Sequence, residues 1–164
     1  MSEFLGKPLI QHIIHRIGSL FNEVIVVLRN DEQRNIFSTK LSPSIKLVVD
    51  TRDINSPLVG ALTGIKSASG EYSLLTACDT PSISFEVISC FLSQAQNYDA
   101  IIARWPKGYV EPLQAIYRTQ KALQSTIQKL NEGKLRMRDM IAHFNNPRFI
   151  TTETIRKLDP QLNI

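Results

Sequence analysis

Residues 24–28 read Val-Ile-Val-Val-Leu, an unbroken apolar run of strand length with no polar face. A strand that is apolar on both sides must be covered on both sides, which points to a sheet held between two layers of helices. The run at 45–49 repeats the pattern. Between and around such runs the periodicity changes. Leu9, Ile10, Ile13, Ile14, Ile17 and Leu20 follow the i, i+3, i+4, i+7 spacing of one helix face, with Pro8 where a helix start tolerates it. The same reading predicts strands over 24–28, 45–49, 72–78, 99–104, 111–117 and 148–152. Helices are expected over 31–37, 58–68, 84–96, 122–130 and 138–144, with a last turn at 154–157. This alternation predicts an α/β fold of three layers, a mostly parallel sheet with helices on both faces. The chain is expected to open on a helix with no strand before it. At 164 residues, positions 1–164 are expected to form a single domain.

Charge and composition narrow the partners. Lysine and arginine total 19 against 15 aspartates and glutamates, a net +4, which suits a nucleic acid or a phosphorylated small molecule. The basic residues are scattered and no aromatic–basic surface is legible, so no nucleic-acid partner is expected. The longest charge-free runs, 54–65 and 87–98, have 12 residues each, short of the ~20 that a membrane helix needs. No membrane partner is expected. Cys78 and Cys90 form no CxxC pair and are too few for a disulfide framework, which favours a reduced, cytoplasmic setting.

The glycines at 6, 18, 60, 64, 70, 108 and 133 are all isolated, which excludes a Walker loop and a dinucleotide fingerprint. Asp50 and Asp79 each end an expected strand, at the carboxyl edge where open α/β sheets bind ligands. A carboxylate there suits Mg²⁺, which favours oxygen ligands and sits between carboxylates and substrate phosphates. Alternatively each aspartate caps a helix or starts a turn. A phosphoaspartate phosphatase would need a second aspartate two residues after Asp79, where Pro81 stands. The segment Ser56-Pro57-Leu58-Val59-Gly60 opens a helix on which Gly60 and Gly64 share one face. It reads either as close packing on the sheet or as a frame for a nucleotide base. His12, His15 and His143 lack zinc spacing. Lys134, Arg136 and Arg138 read as a solvated face first and a phosphate contact second. Trp105, Phe91 and Phe144 read as core.

The series GKPLIQHII, VIVVLRND, VVD, SPLVGALTGI, GEYSLLTACDTPSI, EPLQAIYR and LRMRDMI resembles the molybdenum cofactor guanylyltransferases over nearly the whole chain. These are the molybdopterin-guanine dinucleotide biosynthesis protein A family. SPLVGAL followed by ACDTP is the most specific part of the resemblance. The family implies a nucleotide-diphospho-sugar transferase-like, Rossmann-like fold and a GTP-dependent nucleotidyltransferase. It transfers GMP from Mg·GTP to molybdopterin and releases pyrophosphate. Asp79 matches the family's metal-binding, catalytic aspartate, and Asp50 the acid after the third strand. Pro57, Leu58 and Gly60 match the guanine-side loop, Asn30 a nucleotide-side asparagine, and Glu111 and Pro112 a segment facing the pterin acceptor. Ser56 stands where the family commonly has glycine. Partner proteins of cofactor synthesis or molybdoenzymes are also implied. The family pattern starts with a strand and a loop of the form L-x-G-G-x-S-x-R-M-G-x-x-K and ends with an N-x-N-T-P box. Neither is present in this sequence, so a missing first strand and poor or absent turnover are expected. The alternatives are a non-catalytic nucleotide- or partner-binding relative, and a transferase for a sugar phosphate or a cobalamin precursor.

Overall fold

The computed structural model describes residues 3–50, 54 and 56–164. A short ribbon, β1 (Glu3–Phe4) and β2 (Lys7–Pro8), leads into α1 (Leu9–Ile17) and a single 3-10 turn. The chain then runs β3 (Ile25–Leu28), α2 (Asp31–Lys40), β4 (Lys46–Val49), α3 (Pro57–Ser67), β5 (Tyr72–Leu75) and α4 (Phe85–Ser93). The rest is β6 (Ala100–Arg104), β7 (Val110–Arg118), α5 (Thr119–Asn131), α6 (Met137–Ile141), β8 (Pro147–Thr151) and α7 (Thr152–Arg156). Asn30, Ser56, Ser84 and Thr151 cap α2, α3, α4 and α7 with their side-chain oxygens, each satisfying a backbone N–H that the helix start leaves open.

The sheet is built in two parts. β3 and β4 pair in parallel, and the other four strands follow the order β5-β7-β6-β8. β6 and β8 are parallel, while β7 is antiparallel to both β5 and β6. The crossover through α3 returns the chain so that β5 runs with β4. Only β7 therefore opposes the common direction in these two sheets, and the expected α/β class, mostly parallel, holds. No described strand lies between β3 and β5, in keeping with the expected missing first strand.

Helices cover both faces. Leu58 and Ile65 of α3 pack with Ala100, Ile102, Ala115, Tyr117 and Met140 on one side. On the other, Val87 and Phe91 of α4 and Ile155 of α7 pack with Ile101, Ile116 and Ile150. Phe91 is core, as expected.

Three expectations need correction. The chain does not open directly on a helix: β1 and β2 precede it, turning at Leu5 and Gly6, whose φ values are 50° and 73°. Strands of two residues carry no periodicity to read. β5 ends at Leu75, so residues 76–79 leave the sheet: its ladder with β7 stops at the Leu75–Ala115 pair, next to the left-handed Gln114 that breaks the register. In β3, Val26 and Leu28 are buried but Ile25 and Val27 only half-buried, because the strand borders an open groove and is not covered on every side. No helix among the described residues is long and apolar enough to cross a membrane.

Candidate nucleotide site at the carboxyl edge of the sheet

β3, β4 and β5 end at the same edge, and β7, running the other way, begins there. The two aspartates arrive by different routes. Asp50 follows β4 directly: its N–H donates to the Leu28 carbonyl at 2.7 Å, and its carboxylate accepts from the Thr63 hydroxyl at 2.9 Å. Asp79 lies on an exposed turn four residues past the end of β5. Among the described residues its carboxylate has no hydrogen bond or ion pair. Asp50 is a positioned group tied to α3, and Asp79 a free one. That chemistry fits a Mg²⁺ ion, which is usually held by one or two carboxylates and completed by phosphate oxygens. No cluster of three or more His, Cys, Asp or Glu side chains gathers among the described residues, so the remaining ligands would come from substrate and water.

The start of α3 faces the same region. The Ser56 hydroxyl donates to the Leu135 carbonyl at 2.7 Å and accepts from the Leu58 N–H at 3.2 Å. Pro57 occupies the first helical turn, where it needs no N–H partner. Pro57, Gly60, Ala77 and Cys78 line one groove, so the glycine face of α3 and the turn carrying Asp79 border a common space. A Cβ at Gly60 would meet nothing within 4 Å. Leu58 differs: its side chain is fully buried in the core, which leaves only its backbone near the site. Asn30 is exposed, and its Oδ1 accepts from the Gln33 N–H at 2.9 Å. It lies at the end of β3 with its side chain engaged in capping α2.

The hydrogen bond from Ser56 to Leu135 brings in residues whose sequence pattern is that of a solvated face. Lys134 and Arg136 flank Leu135, are exposed, and have no salt bridge among the described residues. Two uncompensated cations thus stand beside the N-terminus of α3, whose own dipole favours anions.

β7 enters this edge through an irregular stretch. Pairing with β6 shifts between Ile101 and Ala103, and Gln114 has a left-handed φ of 62°. The Tyr117 hydroxyl donates to the Pro112 carbonyl at 2.6 Å and holds the distortion. Glu111 is half-buried, and loss of solvent pushes its carboxyl above the usual glutamate range, opposed by the Leu113 N–H. Burial, with the Glu111 charge adding to it, pushes the Tyr117 phenol up as well. Gln114 is only 3% exposed and its Oε1 has no hydrogen-bond partner among the described residues. Sequence reasoning missed Gln114. The signal was Pro112 inside a strand pattern, since proline in a sheet marks an edge or a bulge.

A family model for the MobA-like NTP transferase domain matches residues 1–148. The chain belongs to the MobA-like NTP transferase family. Among curated relatives, the probable molybdenum cofactor guanylyltransferase of Methanosarcina acetivorans is 27% identical, aligned over 98% of this chain and 73% of its own. That of Methanothermobacter thermautotrophicus is 28% identical, over 95% of this chain and 78% of its own. Among solved structures, the molybdopterin-guanine dinucleotide biosynthesis protein A of Archaeoglobus fulgidus superposes with a TM-score of 0.79 at 21% identity, covering 99% of this chain and 79% of its own. At that identity the likeness speaks for the fold. In this MobA-like chain Asp50 and Asp79 follow β4 and β5, Pro57 and Gly60 of α3 line the groove, and Glu111 and Pro112 lie in the first residues of β7.

Proposed function

We propose that this chain is a guanylyltransferase that moves GMP from Mg·GTP to a phosphate of molybdopterin. An oxygen of the acceptor phosphate bonds to the α-phosphorus. The bond from that phosphorus to the α,β-bridging oxygen breaks, and its electron pair leaves with pyrophosphate. The observation that carries this reading is the family match across residues 1–148; the free carboxylate of Asp79 supports it. When bound, Mg²⁺ would neutralise phosphate charge and order the in-line geometry. Asp79 would hold it, with Asp50 positioned beside by Thr63. Pro57, the Leu58 backbone and Gly60 would frame the guanine, with Asn30 on the nucleotide side. Glu111 and Pro112 would face the pterin. Lys134 and Arg136 would meet triphosphate charge near α3. The two thiols, free in the structure, suit work in a reducing cytoplasm.

A site that reads guanine by hydrogen bonds rejects a base that leaves those groups unpaired. Ligand at ~100 times its dissociation constant adds roughly 2.7 kcal/mol, and each kcal/mol moves the melting point of a domain this size by about 2–4 °C. Thermal melts with Mg·GTP and Mg·ATP at matched concentrations are expected to show a shift of several degrees for GTP and little for ATP. Equal shifts would reject the guanine assignment. Pyrophosphate release by these 164 residues is expected to be slow, because their seven glycines are isolated and make no glycine-rich loop for the triphosphate; one lost contact of this type costs ~10²–10³ in rate.

A further inference from the structure

On β7, Glu111 faces Ala103 and Ile116 faces Ile101, so five steps of β7 are fitted against two of β6. Gln114 stands inside that excess, with a left-handed φ of 62°. It carries two costs at once. A side chain in that region crowds its own backbone, which glycine avoids. Its Oε1 is shut off from solvent and accepts no hydrogen bond among the described residues, which an apolar side chain of the same length avoids. Strain and an orphaned polar atom at one residue point to a role in a site.

The surroundings of Gln114 follow from the register. Leu113 and Ala115 belong to the cluster on the α3 face, and Ile116 to the one on the α4 face. Side chains alternate along a strand, so Gln114 lies on the α4 face. The ladder of β5 with β7 stops at the Leu75–Ala115 pair, and the next facing positions are Thr76 and Gln114. Thr76 opens the segment that carries Asp79 and returns to the same face at α4, where Ile83 shares a cluster with Leu74. Along that segment the backbone N–H groups of Ala77, Cys78 and Asp79 make no hydrogen bond among the described residues. A buried acceptor without a donor stands at the foot of a turn whose donors lack an acceptor.

We propose that Gln114 is a positioning residue for Asp79: its side-chain oxygen accepts from a backbone N–H of residues 77–79 when the Asp79 carboxylate engages Mg·nucleotide. This rests on the guanylyltransferase reading, which assigns Asp79 to the metal. The turn itself is weakly tied, with the Thr76 and Thr80 hydroxyls donating to the Ala77 carbonyl at 3.3 and 3.4 Å. A carboxylate on so loose a turn has to be ordered as the ligand binds, and that ordering opposes affinity. The bond to Gln114 offsets the loss. An acceptor already cut off from water gives up no hydration to make it, so the bond gains more than one formed at a solvated group.

The test compares the whole chain with Gln114→Met, which keeps the length without the amide, and with Gln114→Gly, which also relieves the backbone. Gln114→Met is expected to melt no lower than the parent, because the orphaned oxygen is gone. Calorimetric titration with GTP is expected to show the affinity gained from Mg²⁺ cut at least about tenfold in both variants, with metal-free GTP binding unchanged. In the parent, hydrogen exchange at one of the amides 77–79 is expected to slow at least about tenfold on addition of Mg·GTP, and in Gln114→Met to stay within about twofold. A parent that gains nothing from Mg²⁺ would overturn the guanylyltransferase reading and this inference with it. With the gain present in the parent, its survival in the variants, an equal loss of metal-free binding, or no slowing at residues 77–79 would overturn this inference alone.

Discussion

Asp50 and Asp79 leave the same sheet edge with different obligations, and that difference can be measured. Asp79 is exposed and unpartnered, so Asp79→Asn should change stability by less than about 0.5 kcal/mol. It is expected to abolish the gain in GTP affinity that Mg²⁺ confers, read by calorimetric titration. A retained Mg²⁺ dependence would reduce Asp79 to a turn residue. The Thr63 hydroxyl is bonded to Asp50 at 2.9 Å, and Thr63→Val should cost about 1 kcal/mol in urea denaturation. Glu111 adds a pH signature. Burial raises its folded pKa, so the folded state holds its proton more tightly than the unfolded chain does. Stability from that protonated form is present below the unfolded glutamate pKa and is lost as pH rises through the folded one. Glu111→Gln is therefore expected to melt higher than the parent at neutral pH, with the difference vanishing as the pH falls to the acid side of that window. A constant difference across that range would show that desolvation of the charge is not its cause.

Among the elements, α3 connects packing to the site. Its buried face, Leu58, Val59, Ala61, Leu62 and Ile65, locks it to the sheet, while Gly60 and Gly64 line the groove. Glycine inside a helix costs ~0.8–1.0 kcal/mol relative to alanine. The space at Gly60 is open, so Gly60→Ala should gain most of that and raise the melting point by about 2–4 °C. The same methyl group enters the space assigned to the guanine, and weaker GTP binding is expected alongside the greater stability. Greater stability with unchanged GTP affinity would move the base elsewhere. β7 shows the opposite balance, since left-handed Gln114 and the Pro112 distortion are held in place by Tyr117 instead of by regular pairing.

At the scale of the molecule, the two parts of the sheet share no backbone hydrogen bonds between β3 and β5. The β3–β4 part is held by the smaller cluster around Val26, Leu28 and Leu41 and by the helices α1 and α3 that bridge the gap. Elements with fewer buried contacts open at lower free energy than the global core. Native-state hydrogen exchange should find the amides of β4 opening before those of β6 and β7, whose residues are among the most buried in the chain. Simultaneous opening of both parts would mean that α1 and α3 couple them fully. The net charge of +4 favours a polyphosphate ligand, but its local expression at Lys134 and Arg136 depends on where the fold brings residue 135.

The sequence by itself determined the α/β class, nearly every helix and strand to within a few residues, and the family. These follow from short-range periodicity and from motifs such as SPLVGAL and ACDTP, which a linear reading captures. It also placed Asp50 and Gly60 on the right elements. It could not see that β5 ends at Leu75, that β7 bends at Gln114, or that Leu135 meets Ser56 across 79 positions. Each depends on a neighbour distant in the chain: strand length on the strand beside it, a bulge on the register it interrupts, a cation's role on the helix end it reaches. Local propensity decided which elements form, while pairing and packing between distant residues decided how far each runs and which side chains share an edge.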